Sequence, residues 1–187
     1  MKYFKKIVGE KVYLSPVSSE DVEQFVEWMN DFHLTDYIGR SDALVTKENE
    51  KEWIANATSG EKYIFSIVSL QEDKLLGIIE LMDINQTDRR ATVGIFVGDN
   101  SERSKGIGTE ALNLILEYAF NYLNMHSINL TVLGTNERAK RCYEKVGFKV
   151  IGTQRECRFA AGKYRDIIHM DILASEFAGG FIKNKNL

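Results

Sequence analysis

Arg103-Ser104-Lys105-Gly106-Ile107-Gly108-Thr109 stands between a strand-like segment, Arg90 to Gly98, and apolar residues at helical spacing: Ile107, Ala111, Leu112, Ile115, Ala119 and Leu123. A basic, glycine-containing turn therefore opens a helix at the end of a strand. Two glycines let the backbone curl so that several N–H groups point the same way. The helix N-terminus adds partial positive charge, and Arg103 and Lys105 add whole charges. This is how a pyrophosphate seat is built. Taken alone, a glycine turn with solvated charges explains the stretch equally simply, so its surroundings must decide.

Upstream, a strand is expected at Lys11 to Val17, and Ser18 or Ser19 can cap the helix that follows, with Val22, Phe25, Val26 and Met29 on one face. Thr46, with Asn49 three residues on, opens a helix over Lys47 to Ala57. The period then falls to two: Tyr63, Phe65 and Ile67 alternate with Ile64, Ser66 and Val68. Asp73-Lys74 makes a turn into Leu75 to Met82, and a loop at Asn85 to Asp88 leads to the strand ending at Gly98. Three strands joined by short loops read as an antiparallel meander. Downstream come a strand at Ile128 to Leu133, a helix from Glu137 to Val146 closed by Gly147-Phe148, and two final strands about Gly162-Lys163. The reading is one mixed α/β domain over residues 1–187, with a core of about 10–174 and a loosely held tail over 175–187.

Composition narrows the partners. A 187-residue chain, 44% hydrophobic and 27% charged, is an ordinary globular domain with a real core. No apolar run reaches membrane-spanning length, and no signal-peptide stretch follows Lys2, Lys5 and Lys6, so a cytoplasmic protein is expected. A net charge of −3 gives no general attraction to nucleic acid or anionic membrane. Cys142 and Cys157 fit no metal spacing and read as buried free thiols. His33, His126 and His169 are scattered and are assigned to no metal. The acids from Glu20 to Asp36 either solvate a helix face or form an acidic wall for a cationic amine.

Phosphate-binding architectures with glycines before a helix can now be separated. A nucleotide P-loop needs lysine after its last glycine, where this chain has Lys105 before Gly106 and Ile107 after it. A dinucleotide fingerprint is nominally present from Gly106 to Ala111. However, eight residues part Val97 from Gly106, and no acid lies near Ile128 to take a ribose. What remains resembles the GNAT acetyltransferases. Arg103 through Gly108 matches that family's pyrophosphate loop, and Asn136, Ala139, Tyr143 and Gly147-Phe148 match its second signature. The resemblance runs from Val12 to about Ile172 and looks closest to the RimJ/RimL-type branch. It implies the acyl-CoA N-acyltransferase fold, a central, mostly antiparallel twisted sheet flanked by helices. It implies acetyl-CoA as co-substrate, with no metal.

The resemblance also assigns roles. The amides of Arg103, Ser104, Lys105, Gly106, Ile107, Gly108 and Thr109 hold the pyrophosphate. Pantetheine pairs with Phe96, Val97 and Gly98 where this strand splays from Ile128–Leu133. An N–H at Ile95 or Phe96 polarises the thioester, in the manner of an oxyanion hole. Asn136 caps its helix and hydrogen-bonds pantetheine, with Ala139 beside it. Tyr143 is the general acid for the departing thiolate. Relatives often carry Glu in an Ala-Glu-Leu-Gly pattern, where this chain reads Ala91-Thr92-Val93-Gly94. Glu80, an acid in an apolar strand, is the best substitute as base, with Asp83 second. The branch's Leu-Arg-Pro is Leu14-Ser15-Pro16 here.

The activity expected is direct acetyl transfer to a primary amine, with no covalent nucleophile. Cys142 should point about 100° away from Tyr143 on its helix. Neutralising an alkyl ammonium at pH 7 costs about 4 kcal/mol, against about 1 kcal/mol for a peptide α-amine. A protein N-terminus is the first acceptor weighed. Polyamines such as spermidine or spermine, and amino sugars or aminoglycosides, are the alternatives. A silent acyl-CoA-binding module is the reading from another class, and exposed strand edges leave a homodimer open.

Overall fold

The strands in the first half of the sheet serve two cores at once, because successive residues point to opposite faces. Leu14, Ile67 and Ile79 lie in one core, while their neighbours Tyr13, Val68 and Ile78 lie in the other. The computed structural model describes residues 2–59 and 62–184. In chain order the elements are β1 (Ile7–Val8), β2 (Val12–Pro16), α1 (Val22–Met29), α2 (Phe32–Ile38), α3 (Lys47–Thr58), β3 (Tyr63–Ser69), β4 (Leu75–Asn85), β5 (Arg90–Val97), α4 (Ile107–Asn121), β6 (Ser127–Leu133), α5 (Glu137–Val146), β7 (Lys149–Ala160) and β8 (Lys163–Leu173). The eight strands form one sheet in the order β1-β2-β3-β4-β5-β6-β8-β7. All pairs are antiparallel except β5 with β6. The expected mixed α/β fold with a mostly antiparallel sheet is therefore present.

One face of the sheet packs on α4, whose Ala111, Leu112, Leu114, Ile115 and Leu116 are fully buried. The other face packs on α1 and α3 through Phe25, Trp28 and Ile54. The start of α4 is held by its own first-turn acid. Glu110 Oε1 accepts from the backbone N–H groups of Glu10, Lys11 and Val12 at 2.7, 2.7 and 3.2 Å, tying the helix to the β1–β2 turn. Thr46 and Asn49 form a reciprocal capping box at α3.

Two expectations are corrected. The segment beyond Ser175 is strapped down rather than loose. Phe177 and Phe181 pack on the core and Ile182 is buried. The N–H groups of Phe181 and Ile182 donate to buried Glu117, and that of Lys183 donates to the Val8 carbonyl. Residues 185–187 of the expected tail lie outside the described residues. The thiols also differ from expectation, since Cys157 is exposed and Cys142 half-buried. The helix α2 and the short β1 are elements the sequence pattern did not announce.

Candidate active site

Strands β5 and β6 pair only at Arg90–Ser127, Ala91–Ile128 and Thr92–Asn129. Beyond Thr92 they part, and a cavity of 990 Å³ passes through the sheet at the gap. Register decides which β5 groups face it. Gly98 N–H donates to Leu76 O at 2.9 Å, and Phe96 and Gly94 stand opposite Ile78 and Glu80. Antiparallel alternation then commits the backbone of Gly94, Phe96 and Gly98 to β4. The main-chain groups of Val93, Ile95 and Val97 face the gap. Of the two amides expected to polarise a carbonyl, the available one is Ile95. Phe96 is corrected to a wall residue, its ring 5.8 Å from that of Trp28.

On the α4 side the wall contains Val97, Arg103, Ser104, Gly106, Gly108, Thr109, Asn136, Ala139 and Tyr143, all expected from the sequence. Ser104 (φ 64°) and Gly106 (φ 88°) both occupy the left-handed region, a curl of the kind that converges N–H groups on an anion. Arg103 is half-buried and its Nε donates to the Val97 carbonyl at 3.2 Å, which closes the loop onto the strand end. Burial, and then Arg138 beside it, push its guanidinium below the ordinary arginine range. A Cβ on Gly108 would meet nothing nearer than Cys142 Sγ at 3.9 Å, so the glycine leaves a hollow where a chain can lie against the backbone. These features fit the diphosphate and pantetheine arm of an acyl-CoA.

Three expected contacts lie off this wall. Gly98 is a packing glycine, because a Cβ there would sit 2.1 Å from the Trp28 indole. Lys105 is exposed and paired to Glu102 at 3.1 Å. Ile107 is a core side chain, leaving only its amide for a ligand.

Asn136 Oδ1 accepts from Ala139 N–H at 3.2 Å, capping α5. Tyr143 is 9% exposed and packs edge-on to Phe148. Its hydroxyl has no hydrogen-bond partner among the described residues. Burial, with Cys142 next to it, pushes the phenol far above its ordinary range, so it stays protonated. Cys142 also reaches the wall, with Sγ 3.3 Å from Thr109 Oγ1.

The opposite mouth is lined by Phe25, Met29, Trp53, Met82, Glu50 and Glu80. Glu80 shares its sheet face with Ile78 and lies over Gly94, whose missing side chain gives it room. Burial raises its pKa, Arg40 opposes that, and Asp83 adds to it. Asp83 itself is exposed at the β4–β5 irregularity and does not line the cavity. Nor does any acid from Glu20 to Asp36, so the expected acidic wall is not assembled there. Asp21 is buried against the Tyr3 hydroxyl, Glu23 pairs with Lys47, and Asp31 caps α2. Sequence reasoning missed Glu50. Its signal was available, since it shares an inward stripe with Ile54 and Ala57 at helical spacing.

The chain is similar in sequence and fold to known proteins. Residues 11–149 match the family model of the acetyltransferase (GNAT) domain. The probable N-acetyltransferase YjcK of Bacillus subtilis is 30% identical over 156 residues, 79% of this chain and 86% of that one. The spermidine N(1)-acetyltransferase of Escherichia coli is 36% identical over 101 residues, 54% of each chain. The spermidine N-acetyltransferase of Vibrio cholerae, solved in complex with CoA and spermine, superposes with a TM-score of 0.81 at 26% identity, covering 89% of this chain and 97% of that one. The chain therefore belongs to the GNAT acetyltransferase family as an N-acetyltransferase.

Proposed function

We propose that the chain moves the acetyl group of acetyl-CoA to a primary amine of a small polyamine, by direct transfer within a ternary complex. The observation that carries this is the single cavity through the sheet, with Tyr143 and the Gly106 loop toward one mouth and Glu80 toward the other. The donor's diphosphate lies on the Arg103–Thr109 amides, and Asn136 holds the arm that reaches the gap. Ile95 N–H polarises the acyl oxygen. Glu80, as carboxylate, orients the amine and accepts its proton directly or through water. The C–N bond forms as the C–S bond breaks, Tyr143 gives the departing sulfur a proton, and the second proton lost by the amine nitrogen restores the phenol through water. The phenol's raised pKa does not spoil this step, because a thiolate formed in the same apolar pocket is raised too.

A polyamine is favoured over a peptide N-terminus by two supports. A desolvated carboxylate suits an alkyl ammonium, which is the harder amine to neutralise. The relatives named above as spermidine enzymes act on that class.

Steady-state acetylation of spermidine, an aminoglycoside and a peptide with a free N-terminus tests the reading. The expected result is the highest kcat/KM for spermidine. A clear preference for the peptide would replace the polyamine, and acetyl-CoA turnover with no amine accepted would favour a silent module.

A further inference from the structure

Glu50 is 7% exposed and lies on the inward stripe of α3. Its carboxylate oxygens are not sealed from solvent, since the enclosed side-chain polar atoms without a partner among the described residues are Asp21 Oδ2 and Ser66 Oγ, but a carboxylate on so buried a residue ordinarily has hydrogen bonds or a cation to satisfy it. Among the described residues, none donates a hydrogen bond to the Glu50 side chain and none forms an ion pair with it. Arg40 is near enough for its charge to act on both Glu50 and Glu80, yet it pairs with neither. Arg158, another cation on the wall, donates to the Gly39 carbonyl. The first-turn position on α3 favours the ionised form, but an exposed face would offer that without the cost of burial. Glu50 lines the same cavity as Glu80, among Met29, Val45 and Trp53.

We infer that Glu50 determines acceptor specificity: its carboxylate receives a second, non-reacting cationic nitrogen of a di- or polyamine whose reacting nitrogen lies at Glu80. This rests on the polyamine reading above. A monoamine would leave Glu50 buried and unpaired in the complex, and a site built for a charged partner rejects the analogue that lacks it.

The test is steady-state kinetics on the full chain at saturating acetyl-CoA, with spermidine and with n-butylamine as the probe lacking a second nitrogen. Wild type should favour spermidine by about tenfold or more in kcat/KM. Glu50→Gln should raise the spermidine KM by about tenfold and the butylamine KM by far less, shrinking the preference for spermidine, and Glu50→Asp should recover part of the loss. An unchanged spermidine KM in Glu50→Gln overturns the inference. So does a wild type that does not discriminate, a comparison that needs no variant to fold. In both cases spermidine turnover leaves the polyamine reading standing. If wild type acetylates other amines but no polyamine, the two fall together.

Discussion

At the scale of single residues, the two groups assigned to proton transfer should separate in their pH behaviour. Tyr143 is held as a phenol throughout the neutral range, so Tyr143→Phe should lower kcat by roughly a hundredfold, evenly with pH, while leaving KM for acetyl-CoA unchanged. Full activity in that variant would remove the general-acid role. Glu80 acts as a base only when ionised, and burial has raised its pKa. Hence kcat/KM should fall as pH drops through a value above the ordinary carboxylate range, and Glu80→Gln should lose that limb along with about a hundredfold in rate. The sign for stability is opposite. A folded-state pKa above the unfolded one stabilises at acid pH, and that contribution is lost as pH rises through the folded value. At neutral pH, Glu80→Gln should therefore melt higher than wild type, measured by thermal denaturation. A variant that is less active yet more stable is the mark of a residue placed for chemistry.

At the scale of elements, the Arg103–Thr109 turn combines an unusual backbone with an open hollow. Gly106 at φ 88° tolerates no branched side chain without strain, on the order of 2 kcal/mol. Gly106→Val should lower both stability and affinity for CoA, the latter by about tenfold or more, read by calorimetry on the folded fraction. A loss of stability with affinity intact would make the turn a structural glycine alone. The turn, the meander and α5 were legible because each carries a local chemical signature: glycine before a helical period, strict alternation, and Asn136 and Gly147 as caps. The helix α2 was not, because its seven residues expose Phe32 and Tyr37 and bury Leu34 and Thr35, which blurs any apolar stripe. Glu50 was missed for a related reason. An acid in a helix's first turn looks like a response to the helix dipole, and that reading hides the stripe it shares with Ile54 and Ala57. Gly98 misled in the opposite direction, since a glycine beside a binding loop looks functional until the Trp28 indole is seen lying against it.

At the scale of the whole molecule, the C-terminal segment acts across the fold. Phe181 and Ile182 feed N–H groups to Glu117 on α4, and Lys183 and Asn184 bond the β1 backbone at Val8. Ending the chain at Ser175 should therefore cost about 4 kcal/mol, from lost apolar burial and lost hydrogen bonds to a buried carboxylate. Chemical denaturation checks this, and an unchanged midpoint would show the segment to be dispensable. Sequence composition hid this, because Gly179-Gly180 reads as flexible and no local pattern reports a contact made across so much of the chain. The short β5–β6 pairing has a mechanical sequel. Within the sheet, three paired residues join β1–β5 to β6–β8, while the core under α4 is continuous across both. Under the proposed function, a donor arm lying in the opening would take the place of the missing rungs, so bound CoA is expected to raise the melting temperature. Part of its binding energy then becomes cohesion of the fold itself.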